Sequence, residues 1–169
     1  MHVFNQNPKP ANSSFSRMTA PSKFATKLEG ALTYRLHALQ KMTDRASKAA
    51  YFAETGMSFS ECRCLAAVGS FAPLSINDLA FRANLDKGQA SRAAQVLVDQ
   101  KLVRKNTSTE DARGIVMVLT ASGEKKWKQI MTLVKRRNDE ICECLTAKER
   151  VQLDSLLDRL IAHARQTST

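Results

Sequence analysis

The chain has 169 residues and a mass of 18.8 kDa, long enough to bury about 70% of its unfolded surface in one compact domain or two lobes sharing a core. Apolar residues make up 43% and charged residues 25%, which excludes wholesale disorder, collagen-like repeats and a disulfide-dense mini-protein. The formal charge is +10, split as +5 over residues 1–56, +2 over 57–120 and +3 over 121–169, so an anionic partner is plausible but the middle segment is no basic patch by composition.

Residues 1–21 hold Pro8, Pro10 and Pro21 among Asn12, Ser13, Ser14 and Ser16 and read as a flexible N-terminal arm. They lack the apolar stretch of a signal peptide, and no apolar run reaches the roughly 20 residues that cross a bilayer, so a cytoplasmic location is expected.

From Ser22, the apolar residues Phe24, Leu28, Ala31, Leu32, Leu39 and Met42 predict one face of a helix running to about Phe52. Its length exceeds what a domain of this size needs for its own core, and a second subunit would cover the surplus. Gly56 suits a C-cap. Ser58 with Glu61 forms a capping box that opens a second helix through Cys62, Leu65, Ala66 and Val68, ending near Gly69.

Ser75 opens a third short helix, with Ile76, Leu79 and Ala80 facing inward. A turn over Arg82-Ala83-Asn84-Leu85 leads to Asp86, which with Gln89 predicts a second capping box and a fourth helix burying Ala90, Ala94, Leu97 and Val98. Two short helices and a tight turn make a helix-turn-helix. Strands over 103–106 and 115–119, with the polar stretch 107–114 between them, predict a hairpin wing.

Thr120 caps a fifth helix with a stripe of Trp127, Ile130, Met131, Val134, Ile141 and Leu145. A third capping box, Thr146 with Glu149, opens the last helix, lined by Leu153, Leu156, Leu157, Leu160 and Ile161. The fold class is therefore mainly α with a small β-wing, a winged helix-turn-helix over 56–120 flanked by long helices over 22–55 and 121–165.

This order resembles the MarR family of bacterial transcription regulators over about residues 22–165. Its strongest stretches are Leu85-Asp86-Lys87-Gly88-Gln89-Ala90-Ser91-Arg92-Ala93, Lys101-Leu102-Val103-Arg104-Lys105, Glu110-Asp111-Ala112-Arg113 and Leu119-Thr120-Ala121-Ser122-Gly123. The resemblance implies a homodimer built by the flanking helices, with two winged lobes on an inverted-repeat operator in double-stranded DNA. It assigns Lys87, Gly88, Gln89, Ser91 and Arg92 to a recognition helix, with Gln89 suited to an adenine edge and Arg92 to guanine or phosphate.

Arg113 would probe the minor groove, Asp111 would shape the wing, and Arg104, Lys105 and the Ser75 amide would meet phosphate. The family often has two successive arginines after the wing aspartate, where this chain has Ala112 before Arg113. The resemblance also implies release from DNA by a small organic effector, an aromatic acid or phenol. Arg63, His37 and Arg35 would neutralise that effector's charge, and Phe59, Phe71 or Trp127 would supply an aromatic lining.

Cys62 with Cys64, and Cys142 with Cys144, are spaced two apart, and such residues point about 200° apart on a helix, so they cannot share one tetrahedral metal. His2, His37 and His163 are too scattered to complete a site. No cofactor, metal or enzymatic chemistry is expected, and buried packing is the expected role of the cysteines. Two other readings are a winged-helix protein-interaction module and a cysteine-based oxidant sensor.

Overall fold

A computed structural model describes residues 27–107 and 114–167. By its contacts the chain divides into two units, residues 1–40 and 41–169. In the first, a 3-10 turn over Leu28–Gly30 ends at Ala31, whose backbone is extended, and α1 begins at Leu32. The helix therefore starts about ten residues later than the apolar spacing predicts. Gly30 and extended Ala31 interrupt the periodicity there, and Phe24 lies outside the described residues. Leu32, Leu36 and Leu39 are exposed.

The second unit carries the rest of α1, which ends at Thr55 and buries Ser47, Tyr51 and Thr55. Met42, expected on the inward face, is 73% exposed. Gly56, at φ +69°, stops the helix in the left-handed conformation that glycine adopts without steric cost. The Ser58–Glu61 box is complete in both directions and opens α2, Phe59–Phe71. This helix runs two residues past Gly69, as far as the break before Pro73 allows.

Ser75 caps α3, Ile76–Ala83, and Asn84 closes it in the left-handed region that asparagine tolerates. Asp86 caps α4, Lys87–Asp99, by accepting the Gln89 amide. The cap is one-sided, because the Gln89 side chain returns no bond to the Asp86 backbone and the predicted box is only half made. The buried residues of α4 are Ala90, Ala93, Ala94 and Leu97; Val98 is only half-buried.

The wing pairs β1, Val103–Thr107, antiparallel to β2, Ile115–Leu119, with Val103 opposite Leu119 and Lys105 opposite Met117. Leu74 adds one bridge to Met117, tying the loop before α3 to the wing. Thr120 caps α5, Ala121–Ile141, and Leu145 lies beyond that helix's end. The stripe of α5 centres on Ile130 and Leu133, with Met131 and Val134 half-buried at its edge. Thr146 and Glu149 bond reciprocally at the start of α6, Ala147–Thr167.

The core lies where α2 meets α3, α4, α5 and the wing. Leu65, Val68, Leu79, Leu97, Val103 and Ile130 are fully enclosed there, each such side chain stabilising the fold by about 1.5–3 kcal/mol. Trp127 lies so close to Gly69 that a Cβ there would stand 2.4 Å from the indole, so glycine sets the approach of α2 to α5. In contrast, α6 buries nothing, and Val151, Leu156, Leu157, Leu160 and Ile161 are exposed.

Candidate nucleic-acid interface and adjoining pocket

The predicted contact residues of α4 are exposed, Ser75 at the start of α3 is half-buried, and Arg104 and Lys105 lie on β1. The geometry of the helix-turn-helix follows from the two caps. The Ser75 hydroxyl accepts the Asp78 amide at 3.2 Å and donates to the Asp78 carboxylate at 2.6 Å, fixing the first turn of α3. The Asp86 carboxylate takes the Gln89 amide at 2.7 Å, which starts α4 where Lys87, Gly88, Gln89, Ser91 and Arg92 are all exposed.

Ala90, Ala93, Ala94 and Leu97 face the core on the other side of α4. Small side chains let the helix sit close to α2 and α3, so its polar face stands clear. A Cβ on Gly88 would meet the Asp86 carboxylate at 3.2 Å and the Arg92 guanidinium at 3.4 Å, placing both charged groups over the first turn.

Arg104 and Lys105 are exposed on β1. Lys105 donates to the Gln95 side chain at 2.9 Å, and Gln95 in turn donates to Asp99 at 2.8 Å, so this lysine is tied to α4. Asp111, expected to shape the wing, lies outside the described residues, as do Arg113 and residues 1–26.

A second feature sits on the other side of α2. A cavity of about 200 Å³ is lined by Arg63, Ser70, Phe71, Arg82, Asn84 and Val134, among others. The Arg63 guanidinium stands 5.2 Å from the centroid of the Phe59 ring, and that ring meets Tyr51 edge-on at 5.3 Å. Arg82 lies 4.6 Å from the Phe71 centroid and 5.9 Å from that of Phe81.

Sequence reasoning picked out Arg63 and Phe71 but missed Arg82. The available signal was a basic residue in the last turn of α3, ten and eleven residues after Ala72 and Phe71, a spacing that becomes contact only through the helix-turn-helix fold. Phe59 packs on Tyr51 and Arg63 and is not among the cavity's lining. Trp127 packs on Gly69 with its indole N–H buried and without an acceptor among the described residues. Arg35 and His37 are exposed on α1 in the unit that ends at Gln40.

Cys62 and Cys64 are fully buried, as expected, whereas Cys142 is half-buried and Cys144 exposed, because they follow the last turn of α5 rather than lying inside a packed helix. Burial pushes the Cys64 thiol up to about 12 and raises that of Cys62. No group of three or more potential metal ligands occurs among the described residues, and no described helix is long and apolar enough to cross a membrane.

The family model for MarR matches residues 55–114, from the end of α1 to the residue before β2. Over that stretch the chain resembles the MarR family. Proteins of this family are transcription regulators rather than enzymes. It is similar to the HTH-type transcriptional regulator BilQ of Clostridium symbiosum (strain WAL-14163), at 27% identity over 93 residues, 55% of this chain and 65% of that regulator, just under two thirds of the relative's length.

Its fold is that of a MarR/EmrR family regulator from Acinetobacter sp. ADP1, with a TM-score of 0.72 at 24% identity over 83% of this chain and 99% of the other. A MarR-family regulator from Silicibacter pomeroyi gives 0.69 at 23% identity over 81% and 92%. The Mycobacterium tuberculosis MarR-family protein Rv2887, solved in complex with salicylic acid, gives 0.65 at 23% over 76% and 95%. Residues 55–114 are thus matched by both sequence and fold.

Proposed function

We propose that this chain is a sequence-specific DNA-binding transcription regulator that acts as a homodimer on an inverted-repeat operator. The observation that carries this reading is the exposure of Lys87, Gly88, Gln89, Ser91 and Arg92 on the first turns of α4, backed by an alanine-rich inner face that lets the helix lie against the core. Gln89 and Arg92 read base edges in the major groove. Lys87, Ser91, Arg104, Lys105 and the backbone at Ser75 hold phosphates, and Gly88 lets the backbone come close. Arg113 enters the minor groove from a wing shaped by Asp111.

Residues 56–120 form the DNA-binding lobe, and residues 22–55 and 121–165 form the dimer. The exposed leucines of α6 are the surface that a second copy covers, since a helix with a bare apolar stripe has no reason to be stable in water. Two-fold symmetry then sets half-sites about one helical turn, roughly 34 Å, apart.

The regulator is a cytoplasmic repressor released by an aromatic acid or phenol. The salicylic acid complex of Rv2887 supports that class of effector, and the cavity beside Arg63 supplies the cation for it. Arg35 and His37, exposed on α1, are separate candidates for pairing an acidic effector.

The test is fluorescence anisotropy on a short duplex bearing the operator and on a scrambled duplex, with Arg92→Ala beside the unaltered protein. Loss of one bidentate base contact costs about 1–3 kcal/mol, so specific affinity falls roughly 5- to 150-fold while the scrambled duplex loses little. Equal losses on both duplexes would reduce Arg92 to a phosphate contact; no preference for any duplex by the unaltered dimer would favour a protein-interaction module.

A further inference from the structure

The cavity beside α2 is lined by two arginines and by no acidic residue. Arg63 and Arg82 both line it, Ser70 and Asn84 supply neutral polar groups, and Met131 and Val134 close the α5 side. Neither arginine enters any of the ion pairs found among the described residues. Each instead rests on aromatic rings, Arg63 on Phe59 and Arg82 on Phe71 and Phe81.

A guanidinium beside an aromatic ring keeps N–H donors that can pair a carboxylate through two parallel hydrogen bonds. Two like charges around one small cavity repel each other, and no acidic side chain in its lining offsets them. At about 200 Å³ the space falls below the roughly 300–1,000 Å³ of pockets that hold drug-sized ligands, which suits a single ring.

We propose that this cavity takes a single-ring aromatic dianion, a benzene dicarboxylate in its simplest form, with one carboxylate on Arg63 and the other on Arg82. The inference rests on the effector reading above and narrows it from an aromatic acid to a diacid. A monocarboxylate engages one guanidinium and leaves the other charge uncompensated. Arg82 is then the residue that distinguishes diacid from monoacid.

Calorimetric titration of the full chain with benzoate and with the three benzene dicarboxylate isomers tests this, using unaltered protein, Arg82→Gln and Arg82→Lys. At least one diacid should bind about tenfold tighter than benzoate, a difference of about 1.4 kcal/mol. Arg82→Gln should remove that advantage while leaving benzoate affinity within about twofold, and Arg82→Lys, which keeps the charge but not the two-bond fork, should restore part of it.

Equal binding of benzoate and every diacid, or an equal loss of both in Arg82→Gln, overturns the dianion site and leaves the effector reading standing. No binding of any probe to folded protein overturns the dianion site and the aromatic-acid form of the effector reading together. Diacid binding that depends on Arg82 but leaves operator affinity unchanged upholds the site and fails the effector reading alone.

Discussion

Gly123 lies against the backbone of Leu102 so closely that a Cβ at position 123 would stand 1.9 Å from the Leu102 carbonyl oxygen. The first turn of α5 is thereby seated on the residue that leads into the wing. Gly123→Ala should destabilise the protein by about 2–3 kcal/mol or more, since a backbone atom cannot step aside as a side chain can. Urea unfolding followed by circular dichroism measures this, and an unaltered midpoint would contradict the close contact.

Lys101 holds the other side of the same junction in the left-handed region, at φ +58°. Its carbonyl accepts the Thr120 hydroxyl at 2.7 Å and the Ser122 hydroxyl at 2.8 Å, so the backbone there is pinned. A left-handed non-glycine residue costs about 1–2 kcal/mol and glycine's extra chain entropy costs about 0.5–1 kcal/mol. Lys101→Gly should therefore be neutral to stabilising, by up to about 1 kcal/mol, and Lys101→Val destabilising, both read from the same unfolding curves.

Asp86 supplies the one side-chain cap of α4. Asp86→Ala should cost about 1 kcal/mol of stability, and Asp86→Asn, which keeps the acceptor, much less. Because the fraying turn carries Gly88 and Gln89, operator affinity should fall further than affinity for unrelated DNA. A variant that lost stability but kept its specificity ratio would detach the cap from recognition.

Burial moves the Cys64 thiol from its ordinary 9.0 up to about 12, whereas Cys144 is exposed. An alkylating reagent at pH 8 should label Cys144 first and reach Cys62 and Cys64 only on unfolding. The sign of the pH effect follows from proton binding. Above pH 9.0 the unfolded chain releases the Cys64 proton while the folded chain keeps it, so this contribution is intact below pH 9.0 and declines from there to about 12. Rapid labelling of Cys64 in folded protein would contradict its burial.

Local chemistry was legible in the sequence wherever one residue type answers one backbone need. Ser58, Ser75, Asp86, Thr120 and Thr146 all open helices, and Val103–Thr107 and Ile115–Leu119 form the wing. Periodicity was a weaker guide. It cannot tell a face covered by the chain itself from one left bare, so the stripes holding Met42 and Leu160 read the same as that of Leu65. It also placed the start of α1 too early, because apolar spacing continued across Gly30 and Ala31.

The candidate site divides in the same way. The run Lys87–Arg92 is contiguous and could be read directly, whereas Arg82 reaches Phe71 only after the chain has turned between α2 and α3.

Specific recognition through α4 is measured by selecting bound fragments from a random duplex pool near physiological salt, with Arg92→Ala in parallel. Running at that ionic strength suppresses the phosphate binding that any basic protein shows. A two-fold symmetric motif is expected, with half-sites about one helical turn apart, that vanishes with Arg92→Ala. A folded protein that enriches no motif, or one whose motif is the same with and without Arg92, would contradict it.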